Sequence, residues 1–379
     1  MKQFYTFLFL LTCTFLNAQI VNIPDSNFKN ALIDEGVDTN NDGEIQVSEA
    51  EAVLILNVSG RNISSLEGIQ SFINLEELNC SSNQLIALDM SLNLNLQKLT
   101  CIFNHLSNLN VSQNINLSYL WCQDNELADL DVSQNLNLEI LRCSYNPLAS
   151  IDVAQNPNLL ILDCGKNQLT VLDVTQNINL ERLSFDDNLI SSIDISQNLN
   201  LEVLTCWDNL LSQLDLSQHG LLAYLECANN QLTNLYINNG NNHNMLSMIS
   251  TGNTELTCIQ VDDENAIRPE CQGFPLVGWC KDAWTSYSEY CSLGVTDLEN
   301  FNFNLYPNPA KNKLFLTSKN TTGNLTIEIF NIAGKLLSTQ NVVIEKQTGI
   351  DVSQLASGIY FLRIEYGKRK TAIKKFVKE

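Results

Sequence analysis

From Val53 to Ile259 the apolar and polar positions recur with a period of 21 residues. The segments LEELNCSSNQLIALDMSLNLN from Leu75, LEILRCSYNPLASIDVAQNPN from Leu138 and LLILDCGKNQLTVLDVTQNIN from Leu159 share L-x-x-L-x-C-x-x-N-x-L-x-x-L-D-V-S-Q-N-x-N. Copies open at Leu75, Leu96, Leu117, Leu138, Leu159, Leu180, Leu201 and Leu222, with a 22-residue copy at Val53 and a degenerate one at Leu246. Self-similarity at such a period marks stacked structural units and is read before anything else. Inside each unit Leu78 and Cys80 alternate with Asn79, the period of a strand with one face turned inward. One unit cannot bury its own apolar face, so neighbours stack into a solenoid with parallel strands. At about 4.8 Å per strand, ten repeats give a body on the order of 50 Å long.

Three columns follow from the register. The Asn column (Asn83, Asn104, Asn125, Asn146, Asn167, Asn188, Asn209, Asn230) falls where the chain leaves the strand. There a buried amide satisfies backbone groups that have lost their ladder. A column of carboxylates (Asp131, Asp152, Asp173, Asp194, Asp215) precedes the S-Q-N turn and is expected to accept bonds from the turn amides. Seven cysteines (Cys80, Cys101, Cys122, Cys143, Cys164, Cys206, Cys227) share one repeat position, where Phe185 stands in once. An aromatic substitute and parallel side chains speak against disulfides, so these are read as buried free thiols acting as small hydrophobes.

The repeat resembles leucine-rich repeats, the short class in which each unit contains two similar halves, here LxxLxCxxN and LxxLDVSxN. The resemblance implies that ligands meet the strand positions between the conserved ones. Those columns vary while the scaffold stays constant, and they hold most of the aromatic residues of the array. They point to a binding face of Tyr119, Trp121, Arg142, Tyr145, Arg182, Trp207 and Tyr224, centred on the first four, because exposed aromatics beside Arg are common material of binding surfaces. An enzyme finds little support. The three histidines (His105, His219, His243) form no metal-binding pair, and neither a nucleophile elbow nor a phosphate-cradling loop is present. Asp186, Asp187 and Asp208 come nearest to a carboxylate pair for glycan hydrolysis, but an aspartate beside the turn Asn is more simply a turn residue.

Ahead of the array stands DTNNDGEIQVSE, Asp38 to Glu49. It resembles an EF-hand loop, which implies bound Ca2+. Asp38, Asn40 and Asp42 fill positions one, three and five, and Gly43 allows the sharp turn. Glu44 offers its carbonyl, Gln46 stands at nine and Glu49 closes as the bidentate ligand. DSNFKNALIDEG before it is expected to be a helix with Phe28, Leu32 and Ile33 on one face. The loop has no second copy, and it lies where the first repeat needs covering, so the ion is expected to be a structural part of a cap. Behind the array Cys258, Cys271, Cys280 and Cys291 leave the register, and four cysteines allow three connectivities. By analogy with similar repeat proteins, Cys258–Cys291 and Cys271–Cys280 are expected to staple a C-terminal cap.

The formal charge is −21, with +5 from Val295 onward and −26 before it. Such a surface repels nucleic acid and anionic membranes. Residues 1–18, MKQFYTFLFLLTCTFLNA, are read as a signal peptide cut after Ala18, being too short to span a bilayer. No later segment is apolar enough to span one. After a linker at 293–302, LYPNPAKNKLFL, LTIEIFNIAGKLL and DVSQLASGIYFLRIEYGKRKTAIKKFVKE alternate like an all-β sandwich. Together they closely resemble the type A sorting domain of the type IX secretion system of Bacteroidetes-like bacteria, which implies passage across the outer membrane by that machinery. The expected fold is mainly β. It comprises an N-terminal cap at 19–52, a leucine-rich repeat solenoid at 53–259, a cysteine-containing cap at 260–292 and an Ig-like sorting domain at 303–379. The expected function is secreted or cell-surface binding and adhesion to an extracellular protein or glycan, with a passive coat component, or less readily a glycan-active enzyme, as alternatives.

Overall fold

The computed structural model describes residues 19–265, 269, 271, 278–291, 303–318, 323–332, 334–366 and 370–379. The expected signal peptide and linker lie outside these residues. The chain divides into two compact units, Met1–Cys291 and Ser292–Glu379.

The first unit is a stack of rungs. Each opens with a three-residue strand, from Ile55–Asn57 and Glu77–Asn79 through Tyr224–Glu226 and Ser247–Ile249. The strands pair in parallel in the register the sequence dictates, Glu77↔Lys98 and Trp121↔Arg142 among them. The central Leu of each strand (Leu78, Leu99, Leu120, Leu141 and onward) points into the core, and its two neighbours face outward. Leucines 7 and 10 residues further on fill the rest of the section, so one core runs from Val21 to Trp279.

The conserved Asn holds each turn. Asn146 Nδ2 donates to the carbonyls of Cys122, Cys143 and Ser144 (3.1–3.2 Å), while its Oδ1 accepts from Leu127 N at 3.0 Å. A second Asn column (Asn93, Asn114, Asn135, Asn156, Asn177, Asn198), fully buried, ties each returning turn to the rung before it. The aspartates behave as turn caps, Asp131 Oδ1 accepting from Ser133 N at 2.8 Å. The turn after each strand carries a left-handed residue just before the Asn, including Phe103, Tyr145, Lys166, Asp187 and Asp208.

Both ends are covered. At the N-terminal end, helix α1 (Ser26–Asp34) buries Phe28, Ala31 and Leu32. Its N-cap residue Asp25 accepts from Asn27 N and Phe28 N with one oxygen. The other oxygen takes Ser64 N, Ser64 Oγ and Ser65 N, which fastens the helix to the first rung. At the far end Gly278–Cys280 adds an eleventh strand in parallel beside Ser247–Ile249, and Ser286–Ser288 completes a second, four-stranded parallel sheet formed with Gln213–Asp215, Asn234–Tyr236 and Cys258–Gln260. Thus the C-terminal cap continues both sheets by one more rung. Trp279, 1% exposed, seals the core, with Nε1 donating to Met245 O at 3.3 Å. Disulfides Cys258–Cys291 and Cys271–Cys280 staple this rung.

The second unit packs a three-stranded antiparallel sheet (Phe303–Tyr306, Lys313–Ser318, Gln347–Asp351) and a four-stranded one around a common core. Leu314, Leu316, Ile327, Ile329, Leu362 and Phe376 belong to that core. This is a β-sandwich of the expected kind.

Candidate functional site

Alternation along each strand puts two outward side chains per rung on the strand face, and the parallel register sets them in rows about 4.8 Å apart. In one row Trp121, Arg142, Asp163 and Ser184 stand side by side on successive rungs. The Arg142 guanidinium lies 4.9 Å from the Trp121 ring centroid, within cation–π reach. Tyr119, on the same strand, meets Trp121 edge to face at 6.5 Å. Trp121 Nε1 donates to Gln123 Oε1 at 3.0 Å, which fixes the ring. Next to this row a hollow of about 110 Å³ is lined by Arg142, Asp163, Arg182 and Ser184.

Tyr145 and Trp207 belong to the turn that follows the strand, and a residue the sequence reading did not single out joins them. Lys166 Nζ stands 4.6 Å from the Tyr145 ring centroid and 5.5 Å from that of Trp207. A wider hollow of about 380 Å³, lined by Tyr145, Pro147, Lys166, Gln168 and Asp187, opens here. The expected face is therefore two neighbouring patches, one of Tyr119, Trp121, Arg142 and Arg182, the other of Tyr145, Lys166 and Trp207. Tyr224 stands apart, its strand lying beyond Val203–Thr205.

Between the patches lies a pair of carboxylates. Asp163 Oδ1 accepts from Gly165 N at 3.4 Å. The Asp186 carboxylate fills the space beside Gly165, where a Cβ would come 2.7 Å from Asp186 Oδ1. Burial raises the pKa of Asp163, and burial together with the Asp163 charge pushes Asp186 up to about 6. The sequence held one sign of this, a glycine in a column whose other members carry side chains, directly beside an aspartate in the next rung. Asp187 and Asp208, grouped with Asp186 in the sequence, are left-handed turn residues (φ 50° and 51°).

The N-terminal loop folds as its sequence requires. Gly43 has φ +82°, and Ile45 beyond it is fully buried. Asp38 accepts from Asp42 N and Gly43 N, Asn40 Oδ1 from Asp42 N, and Asp42 Oδ1 from Glu44 N. Glu49 reaches back across the loop to Thr39 N, Thr39 Oγ1 and Gln46 N. The carboxylates of Asp38, Asp42 and Glu49 are thus held by the loop's own N–H groups. Among the described residues no three His, Cys, Asp or Glu side chains gather into a metal-holding group. A cation here would rest equally on amide and carbonyl oxygens of Asn40, Glu44 and Gln46, which is the mixed oxygen set that suits Ca2+. The pairing partner the lone loop lacks comes from the start of the described chain. Val21 N donates to Ile45 O and Val47 N to Gln19 O, both at 2.8 Å.

Residues 304–379 match the family described as Secretion system C-terminal sorting domain. Among solved structures, the functional domain of InlJ from Listeria monocytogenes, which includes a cysteine ladder, is 30% identical, with a TM-score of 0.60 over 73% of this chain. The solenoid is thus similar to an internalin leucine-rich repeat domain, and the chain carries a type IX sorting tail at residues 304–379. The chain spans 64% of that InlJ domain, less than two thirds of it. Internalin C2 from L. monocytogenes is a looser likeness, 22% identical over 56% of this chain and 89% of its own, with a TM-score of 0.41. No curated protein matches the chain.

The sorting tail makes this a secreted or cell-surface protein. No helix among its described residues is long and apolar enough to cross a membrane. Its seven repeat cysteines are free and buried, in a column like the ladder of the InlJ domain. Burial pushes the thiols of Cys80, Cys122 and Cys227 up to about 12, far from the thiolate that reactivity needs. His219 occupies the second Asn column, its Nε2 3.1 Å from Ile195 O, the carbonyl an Asn there would bond. Burial lowers its pKa, so the ring stays neutral and structural.

Proposed function

We propose that this protein is a binding and adhesion module displayed or released outside the cell. Its strand face around Tyr119, Trp121 and Arg142, with the Tyr145–Lys166–Trp207 patch beside it, would engage an extracellular protein or glycan. The observation that carries the reading is the Trp121–Arg142 stack beside a second aromatic–cation cluster on a scaffold otherwise constant from rung to rung. Rigid aromatics and Arg supply contact area with little ordering cost, and such residues dominate binding energy. Asp163 and Asp186 add acceptors for hydroxyl or amide groups. Catalysis is disfavoured because Asp187 and Asp208 serve the turn, and a passive coat would need no cluster of this kind. An array of extracellular glycans and surface proteins probed with the exported chain tests the proposal. Binding should appear and should vanish when Trp121 and Tyr145 are both changed to Ala. Equal signals from the two proteins would refute it.

The calcium loop has a supporting part in the same reading. Bound Ca2+, held by Asp38, Asn40, Asp42, Glu44, Gln46 and Glu49, stiffens the N-terminal cap and takes no part in ligand choice. Extracellular modules bind calcium at about 10⁻⁴–10⁻³ M, concentrations available outside cells.

A further inference from the structure

The last residues of each rung form a turn with an unusual surface. The residue between the final two Asn columns is apolar on seven successive rungs: Ile73, Leu94, Ile115, Leu136, Pro157, Ile178 and Leu199. None is in the core. The six larger ones are 44–57% exposed, from Ile73 at the low end to Ile115 at the high end. Stacked at about 4.8 Å per rung, they make an apolar ridge roughly 30 Å long.

The ridge has no charge within it. The eight turns at 70–74, 91–95, 112–116, 133–137, 154–158, 175–179, 196–200 and 217–221 contain no Asp, Glu, Lys or Arg, in a chain of net charge −21. Its carbonyls are already occupied. The carbonyls of Ile73, Leu94, Ile115, Leu136, Pro157 and Ile178 each accept from an Asn Nδ2 of the next rung, at 3.1–3.3 Å.

We infer that this ridge is a lateral contact with a second copy of the chain. Two observations favour a copy over another partner. Strongly acidic chains repel one another, and within this strip itself two of them present no charge, the acid lying only along its borders. A second copy also has the same rung spacing, so apolar residues stay opposed along the whole ridge, which a helix with its 5.4 Å pitch could not maintain. A two-fold axis through Leu136 sets Leu136 against its own counterpart, Ile115 against Pro157, Leu94 against Ile178 and Ile73 against Leu199 of the other copy. Such an interface is isologous and closes as a dimer. A strip about 30 Å by 10 Å falls well short of the roughly 800 Å² per partner of stable complexes, so the contact is weak in solution and gains from crowding on a surface.

Rails of acid border the strip, Glu76, Glu139, Glu181 and Glu202 on one side and Asp131, Asp152, Asp173 and Asp194 on the other. Salt screens their repulsion, so dimerisation should strengthen as salt rises, opposite to an interface built on ion pairs. The test is sedimentation of the exported chain from about 10 μM to about 1 mM, the range in which weak contacts show. We expect a monomer–dimer equilibrium that shifts toward dimer in high salt and is lost in Leu136→Glu. A second readout does not depend on that charge. Under mild oxidation Leu136→Cys should cross-link to its own copy, whereas Val171→Cys, 70% exposed elsewhere on the rung, should not. A monomer throughout the range, a dimer indifferent to Leu136→Glu, a dimer weakened by salt, or equal cross-linking of the two cysteine variants would each overturn the inference.

Discussion

At the residue scale, the scaffold depends on side chains that serve backbone rather than ligand. Asn146 satisfies three carbonyls and one N–H inside a turn closed to water. Orphaned buried groups cost about 1–3 kcal/mol each, so Asn146→Ala should destabilise the solenoid by about 3 kcal/mol or more in chemical unfolding. The carboxylate pair and His219 predict opposite pH dependences. Asp186 is raised from 3.8 to about 6, so its protonated form favours the fold below pH 3.8, and that contribution is lost as pH rises to about 6. His219 is lowered from 6.5, so its contribution is present above 6.5 and is lost as pH falls through its folded pKa. Asp163→Asn should bring the Asp186 titration back toward 3.8 in a carboxyl-resolved NMR experiment. His219→Asn should remove a part of the stability loss below pH 6.5. An Asp186 midpoint unmoved by Asp163→Asn would show that the two carboxylates do not share a site. The Asn column was legible in the sequence because a turn amide has one job at one place in the period. The Asp163–Asp186 pair was not, since the two stand 23 residues apart in different rungs and only packing around Gly165 brings them together.

At the scale of elements, the strands and their register followed from the spacing of leucines alone, because a one-residue slip would turn the core face outward. The caps were less legible. Helix α1 was foreseen from Phe28 and Leu32, but the pairing of Gln19–Val21 with Ile45–Val47 has no sequence pattern to announce it. The eleventh strand at Gly278–Cys280 lacks the repeat consensus, and it joins the sheet because Trp279 completes the end of the core. The loop between Asp38 and Glu49 lies within the N-terminal cap that covers the first rung, so an ion there should act on stability. Removing calcium with a chelator should lower the Tm of the exported chain by several degrees, with binding specificity unchanged. The same Tm with and without chelator would show that the cap needs no ion.

At the scale of the whole molecule, address and architecture were readable because both are repeated or stereotyped patterns, the 21-residue period and the three motifs of the sorting tail. Recognition was readable only as a list of variable positions. The fold divides that list, leaving Tyr119, Trp121 and Arg142 together on the strand face, placing Tyr145 and Trp207 around Lys166 in the turn, and leaving Tyr224 apart. A face of this kind should lose binding energy at its centre and not at its margins. The measurement that bears most directly on it is the affinity of the exported chain for a ligand found on the array, compared among Trp121→Ala, Arg142→Ala and Tyr224→Ala. The central changes should each weaken binding about 30-fold, some 2 kcal/mol, with unchanged Tm, while Tyr224→Ala should have little effect. Affinities equal across the three variants and the unchanged chain would contradict a binding face centred on Trp121 and Arg142.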